Sequence, residues 1–179
     1  MGRRDAWRAI LGALLCLCLA LPGHAETFTA YVVGITDGDT ITVLDDARRQ
    51  HKIRLAGIDA PEHNQPFGTR STESIARLTF NKTVSISWRK KHHERLIGTV
   101  MVQPPDCPRC GLTLDVSQAQ LAAGMAWWYR KYAKEQSPEA RARYEFEEDE
   151  ARVRRVGLWR DPNPVPPWEW RKGARGKVL

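Results

Sequence analysis

Cysteine is scarce in this chain: 179 residues contain four, and Cys16 and Cys18 fall in an apolar stretch near the N-terminus. A disulfide-rich scaffold is thereby excluded. Long apolar runs are lacking too. The longest, Ala9 to Leu21, is shorter than the ~20 residues that a bilayer span needs. No stretch reads as a basic amphipathic membrane helix, no internal repeat is visible, and no lipid-attachment pattern precedes Cys16 or Cys18.

What does stand at the start is a secretory pattern. Met1 to Arg8 carries three arginines against one aspartate, the apolar run follows, and Gly23-His24-Ala25 offers small residues to a signal peptidase. The expectation is a signal peptide over residues 1–25, cut after Ala25, and export to the periplasm or the medium. The mature chain then has 179 − 25 = 154 residues and a net charge of (28 − 3) − (21 − 1) = +5. That length suits one domain with its own core. The basic excess points to an anionic partner, nucleic acid before membrane, with no stable membrane association after cleavage. We expect a folded domain over 26–160 and a basic, Pro- and Trp-rich tail over 161–179, ordered at first and frayed after Arg171.

The remaining cysteines, Cys107 and Cys110, sit in "QPPDCPRCG", where the prolines exclude a helix or sheet interior. In an exported chain a lone pair is most simply a disulfide. A Cys-x-x-Cys redox site would need a helix N-terminus behind it, and none is expected before Asp115. A zinc site would need two further ligands nearby.

Thr27–Ile35, Thr40–Leu44 and Gln50–Leu55 read as three strands joined by "TDGD" and "DDARR" turns. Thr69–Phe80 reads as a helix with Arg70, Glu73, Ser74 and Arg77 polar around Ile75, Leu78 and Phe80. Thr83–Arg89 and Ile97–Val102 give two further strands, with "KKHHER" a polar turn between them. Asp115 is a candidate N-cap for a helix ending at Gly124, and Ser137-Pro138 starts another that runs to Val156 and stops at Gly157. The charge-dense segment up to Arg155 reads as a surface helix with pairs such as Glu148 to Arg152. Five short strands and three helices predict an α+β fold, a Greek-key barrel of the OB type.

Four carboxylates fall in two loops that leave adjacent strands: Asp37 and Asp39, then Asp59 and Glu62. If the strands form a meander, the loops meet at one end of the barrel. Carboxylates about 4 Å apart repel by roughly 4 kcal/mol at an effective dielectric near 20, so such a cluster wants a cation or a raised pKa. Oxygen-only donors favour Ca²⁺, with Mg²⁺ as the other candidate, over zinc. An isolated Asp-Gly turn is commonly structural, but a structural turn does not require Arg54 on the strand before Asp59 to share its face.

Together "DGDTITV", "IRLAGIDAPE", "ERLIGTVMV", "QLAAGMAWWYRKY" and "EDEARVRRVGLW" resemble the thermonuclease family, the staphylococcal nuclease homologues, in order and spacing from Tyr31 to Trp159. The tail also resembles the exported, plasmid-encoded ParB-type branch. The resemblance implies a Ca²⁺-dependent nuclease acting on DNA, with RNA left open, at low sequence specificity and leaving 3′-phosphates. It implies Asp39, Asp59 and the backbone carbonyl of Ala60 as metal ligands, and Asp37 in the outer shell. Arg54 and Arg95 match the two catalytic arginines and Glu62 the catalytic glutamate. Glu62 would act as general base on an attacking water while the arginines stabilise the transition state. His93 stands where the family has a phosphate-contacting tyrosine, and Lys91-His92-His93-Glu94 departs from the family's usual residues before Arg95. Tyr132 falls at a base-stacking position, and neighbouring Arg130 is a candidate substrate contact, whereas Trp127 and Trp128 read as packing residues. A monomer is expected. Two rival readings are a non-catalytic OB module that binds nucleic acid or protein, and a thiol oxidoreductase using Cys107 and Cys110.

Overall fold

The computed structural model describes residues 25–175, so nearly all of the expected signal peptide lies outside the described residues. Strands β1 (Glu26–Asp37), β2 (Thr40–Asp45) and β3 (Gln50–Leu55) form an antiparallel meander, and β1 also pairs antiparallel with β5 (Thr83–His92). β6 (Arg95–Val102) pairs antiparallel with β5 and parallel with β3, from Lys52↔Arg95 to Leu55↔Gly98. That parallel pairing closes the five strands into a barrel. Short strands β4 (Ile58–Asp59), β7 (Leu114–Asp115) and β8 (Trp127–Trp128) add a β6–β7 pairing and a separate β4–β8 ribbon.

Inward residues recur every second position, as strand geometry requires. Val32, Ile41, Val43, Ile53, Leu55, Val84, Ile86, Val100 and Val102 are fully or almost fully buried. α1 (Gly68–Thr79) follows the β4 loop, and its Ile75 enters this core. Two of its positions are the reverse of the sequence expectation: Ser74 is buried, and Phe80 just past its end is 44% exposed. The Lys90–His92 segment, expected as turn, is strand. Pairing extends to His92↔Arg95, which leaves only His93 and Glu94 to turn, with His93 at φ 53°.

α2 (Val116–Ala122) starts where Asp115 Oδ1 accepts the Ser117 and Gln118 amides, at 2.8 and 3.3 Å. α3 (Pro138–Val153) is capped by the Ser137 hydroxyl, which accepts the Ala140 amide. It ends at Val153 rather than Val156, because the chain turns left-handed at Arg155 and Gly157 (φ 50° and 57°) and enters a 3₁₀ turn, Gly157–Arg160. A Cβ on Gly157 would run into the Gly124 carbonyl, so glycine alone permits this turn.

The tail differs most from expectation. α4 (Pro167–Arg175) is helical past Arg171 and lies back on the molecule. Its Trp168 ring stacks on Tyr129, with centroids 5.2 Å apart, and meets Trp127 edge-on at 5.8 Å. α3 is the expected surface helix and carries the Glu148–Arg152 pair, but one face, with Tyr144, Glu148 and Ala151, is buried. Glu148 is completely buried, accepting the Trp128 amide at 3.0 Å and pairing with Arg130 at 2.7 Å and Arg152 at 3.3 Å. Among the described residues, no helix is long and apolar enough to cross a membrane.

Candidate active site

The β1–β2 turn and the loop after β4 meet at one rim of the barrel, and backbone bonds fix the meeting. The Leu55 amide donates to the Asp39 carbonyl at 2.8 Å, and the Ala60 amide donates to Asp39 Oδ2 at 3.0 Å. Gly38 makes the approach possible. A Cβ there would land on Ser71 Oγ of α1 and 2.8 Å from the Ala60 Cβ, while the Gly38 carbonyl accepts from buried Gln120 of α2 at 2.9 Å. The turn is thus clamped between two helices, and the Asp39 side chain is aimed across the rim.

Arg54 lies opposite Thr40 in the β2–β3 register and bridges the two loops. One guanidinium nitrogen donates to Asp39 Oδ1 and the other to Asp59 Oδ1, both at 2.7 Å. Asp39 and Asp59 are 2% and 0% exposed. Asp37 stands behind, its Oδ1 accepting the Asp39 amide at 3.0 Å. Burial pushes the Asp39 carboxyl up to about 7; Arg54 opposes that shift, and Asp37 and Asp59 add to it. Burial pulls Arg54 the other way from its neighbours, yet Asp39, Asp59 and Asp37 outweigh it and hold the guanidinium above its ordinary value. Arg54 is therefore a fixed cation at working pH.

Glu62 is 39% exposed in its side chain, on the open side of the loop. Its backbone amide donates to Gln65 Oε1 at 3.1 Å. Arg171 of α4 reaches into the same space. It donates to Glu62 Oε1 at 2.6 Å and to Asp59 Oδ1 and Oδ2 at 3.2 and 2.7 Å. Those bonds to Asp59 first, and to Glu62, hold the Arg171 guanidinium above its ordinary value. Asp37, Asp39, Asp59 and Glu62 thus face two guanidiniums, Arg54 and Arg171, a local excess of negative charge. Sequence reasoning missed Arg171, because it is one of several basic residues in the tail and no spacing singles it out.

The structure does not draw the other expected residues into this cluster. Arg95 and Arg54 lie on the outward faces of β6 and β3, with Arg95 paired to Lys52 two positions from the Arg54↔Ile97 pair. His93 is exposed on the β5–β6 turn, edge-on to His92. Arg130 is taken up by Glu148 and lies over the Trp128 ring, 4.4 Å from its centroid. Tyr132 is 38% exposed in the 3₁₀ turn Arg130–Glu135, under Lys90 Nζ at 4.7 Å. Trp127 and Trp128 are buried packing residues in β8. Cys107 and Cys110 are bonded within their loop, Cα atoms 5.4 Å apart, with α2 starting only at Val116.

Among the described residues, no three His, Cys, Asp or Glu side chains close into a ready metal cage. The donor chemistry still suits a hard cation. Asp39 and Asp59 are buried oxygen donors already held around positive charge, with Arg171 standing on Asp59 as a cation would. The Ala60 amide donates to Asp39 Oδ2, which seats Ala60 beside these two donors.

Residues 52–161 match the family described as staphylococcal nuclease homologue. The chain is 40% identical over 172 residues, 95% of its own length and 94% of the relative's, to a protein of Shigella flexneri named micrococcal nuclease. It is 39% identical over 166 residues, 92% and 90% of the two chains, to protein ParB of Escherichia coli. It is 38% identical over 141 residues, 78% and 82%, to an uncharacterized endonuclease of Escherichia coli O157:H7.

Proposed function

The chain belongs to the staphylococcal nuclease homologue family and hydrolyses phosphodiester bonds as a nuclease; from that premise we propose that it cleaves DNA, with RNA as the second substrate to test, at the Asp39–Arg54–Asp59–Glu62 rim in a Ca²⁺-dependent reaction. The observation that carries this reading is Arg54 drawing Asp39 and Asp59 together at 2.7 Å each. Two loops twenty residues apart in sequence and one strand converge on a single fixed cation, at the place where a phosphate could be bound.

Asp39, Asp59 and the Ala60 carbonyl would hold the Ca²⁺. When bound, the ion supplies Lewis-acid charge and a template for a phosphate. The protein's own groups do the rest. A phosphodiester is anionic, so attack by water needs its charge neutralised before it needs covalent help. Arg54 remains protonated and offers a fork of donors that fits phosphate oxygens. Arg95 brings a second guanidinium on the same outward face of the sheet. Glu62, on the open side, accepts the proton from the attacking water as the new phosphorus–oxygen bond forms, and the sugar oxygen whose bond to phosphorus breaks leaves as a hydroxyl with a proton taken from solvent. The basic excess of the chain favours the polyanionic substrate.

The test incubates the purified chain with single-stranded DNA, double-stranded DNA and RNA, with Ca²⁺ or a chelator, beside Glu62→Gln. The expected result is Ca²⁺-dependent cleavage, with kcat lowered about 10² to 10⁴-fold in the variant. Cleavage unchanged by the chelator removes the Ca²⁺ assignment, and a fully active Glu62→Gln removes the base.

A further inference from the structure

We propose that α4 is a tethered inhibitor: Arg171 takes the Asp59 and Glu62 oxygens that the divalent ion and the attacking water require, so the nuclease is metal-competent only when α4 lifts. This rests on the Ca²⁺ reading above and adds a regulation of the same site. Both oxygens of Asp59 accept from Arg171, and Oδ1 also accepts from Arg54. Both Asp59 oxygens thus carry a guanidinium donor while Arg171 is seated, and its positive charge stands where a divalent ion would approach. Glu62 Oε1 holds a donor at 2.6 Å, so the proton acceptor is engaged as well. One side chain thus blocks two groups with different roles.

The seating is specific. Gln65 receives the Glu62 amide at Oε1 and donates from Nε2 to the Val165 carbonyl at 2.6 Å, tying the segment before α4 to the Glu62 loop. Trp168 stacks on Tyr129, and Trp170 Nε1 donates to Asn64 Oδ1 at 3.3 Å. These contacts all precede Arg171 in the chain and bring it to the rim. The match to the nuclease family ends at residue 161, before α4 begins. The matched segment also leaves out β1 and β2, so α4 is set apart from the barrel by its contacts and not by the bounds of the match. Because Arg171 and a divalent ion are cations competing for one carboxylate, raising the ion concentration displaces α4, and docking of α4 sets the concentration needed. A strap docked nine-tenths of the time weakens the apparent affinity for the ion about tenfold.

The experiment titrates Ca²⁺ calorimetrically, without nucleic acid, into the wild-type chain, Arg171→Ala, Lys172→Ala and Asp59→Asn, following tryptophan emission in parallel. Lys172 is exposed and pairs with Glu169, so its variant removes the same charge without touching the rim. The expected result is a Kd for Arg171→Ala at least about tenfold below wild type, with Lys172→Ala within about twofold of wild type. Asp59→Asn should lose the binding, and Ca²⁺ should change the emission of wild type more than that of Arg171→Ala. Equal Kd values for wild type and Arg171→Ala overturn the inhibitor and leave the Ca²⁺ reading standing. A weaker Kd in Arg171→Ala also overturns it, making Arg171 a support of the site. Absence of binding in both, or full binding by Asp59→Asn, overturns the inhibitor together with the Ca²⁺ reading.

Discussion

Gly38 shows how much of the site depends on an atom that is missing. The turn Asp37-Gly38-Asp39 passes so close to α1 that a single added methyl would overlap Ser71 Oγ and crowd Ala60, the residue whose amide holds Asp39. Gly38→Ala therefore has to push the turn outward, and Asp39 moves away from Arg54 with it. We expect a loss of cleavage of about 10²-fold, because ångström-scale misplacement of a positioned group costs about that much. The barrel should survive with a stability loss of about 1–3 kcal/mol, as overpacking usually costs. Parallel measurement of kcat/KM and the urea midpoint checks both, and a fully active Gly38→Ala would show that the turn tolerates displacement. The sequence made Gly38 legible only as a turn former. Its second role, admitting Ser71 and accepting from Gln120, depends on residues 33 and 82 positions away, which no local rule connects to it.

Local rules served well for elements whose signals are themselves local. Alternation in β1 to β3, the Asp115 and Ser137 caps, and the Arg54–Asp59 convergence are all fixed within a few residues or one hairpin. They missed one face of α3, where the segment Glu145–Arg155 carries the charge pattern of a surface helix and forms its Glu148–Arg152 pair, yet buries Glu148. Glu148 is instead the anchor of that helix on β8. Pairing with Arg152 one turn away looks the same in sequence whether the carboxylate faces water or Trp128. Replacing Glu148 by Ala strands the buried Trp128 amide and empties the space, while the arginines, each about half exposed, can turn to solvent. Discounting the pairs for that exposure leaves an expected cost of about 2–3 kcal/mol. Glu148→Gln, which keeps an acceptor for the amide, should recover roughly half of it. Chemical denaturation of the two variants decides this, and a loss in Glu148→Ala under ~0.5 kcal/mol would return the helix to the surface role its charges suggest.

At the scale of the molecule, the barrel and α4 are held in different ways. The barrel is closed by the parallel β3–β6 pairing around a continuous apolar core, which ties its strands to one another. α4 has nine residues, too few for a helix to persist in water unaided. It is held by the Trp168 stack, the Trp170 bond and Arg171, with Pro167 buried at its start, and ordering about a dozen residues of tail opposes those contacts at roughly 1–2 kcal/mol per residue. Few contacts are set against that ordering cost, which makes α4 a unit that undocks by itself while the barrel stays folded. Two measurements follow from that balance. Amides of α4 should exchange with solvent at least about 10²-fold faster than the buried amides of β2 and β6, since local opening of weakly held segments precedes global unfolding. A chain ending at Asp161 should keep its far-UV dichroism and lose no more than about 2 kcal/mol, the scale of one partly buried indole. If that truncated chain fails to fold, or if α4 exchanges only with the barrel, then the tail is part of the core. Release of Arg171 would in that case require unfolding the enzyme, and a divalent ion could not gate it at a cost the site can meet.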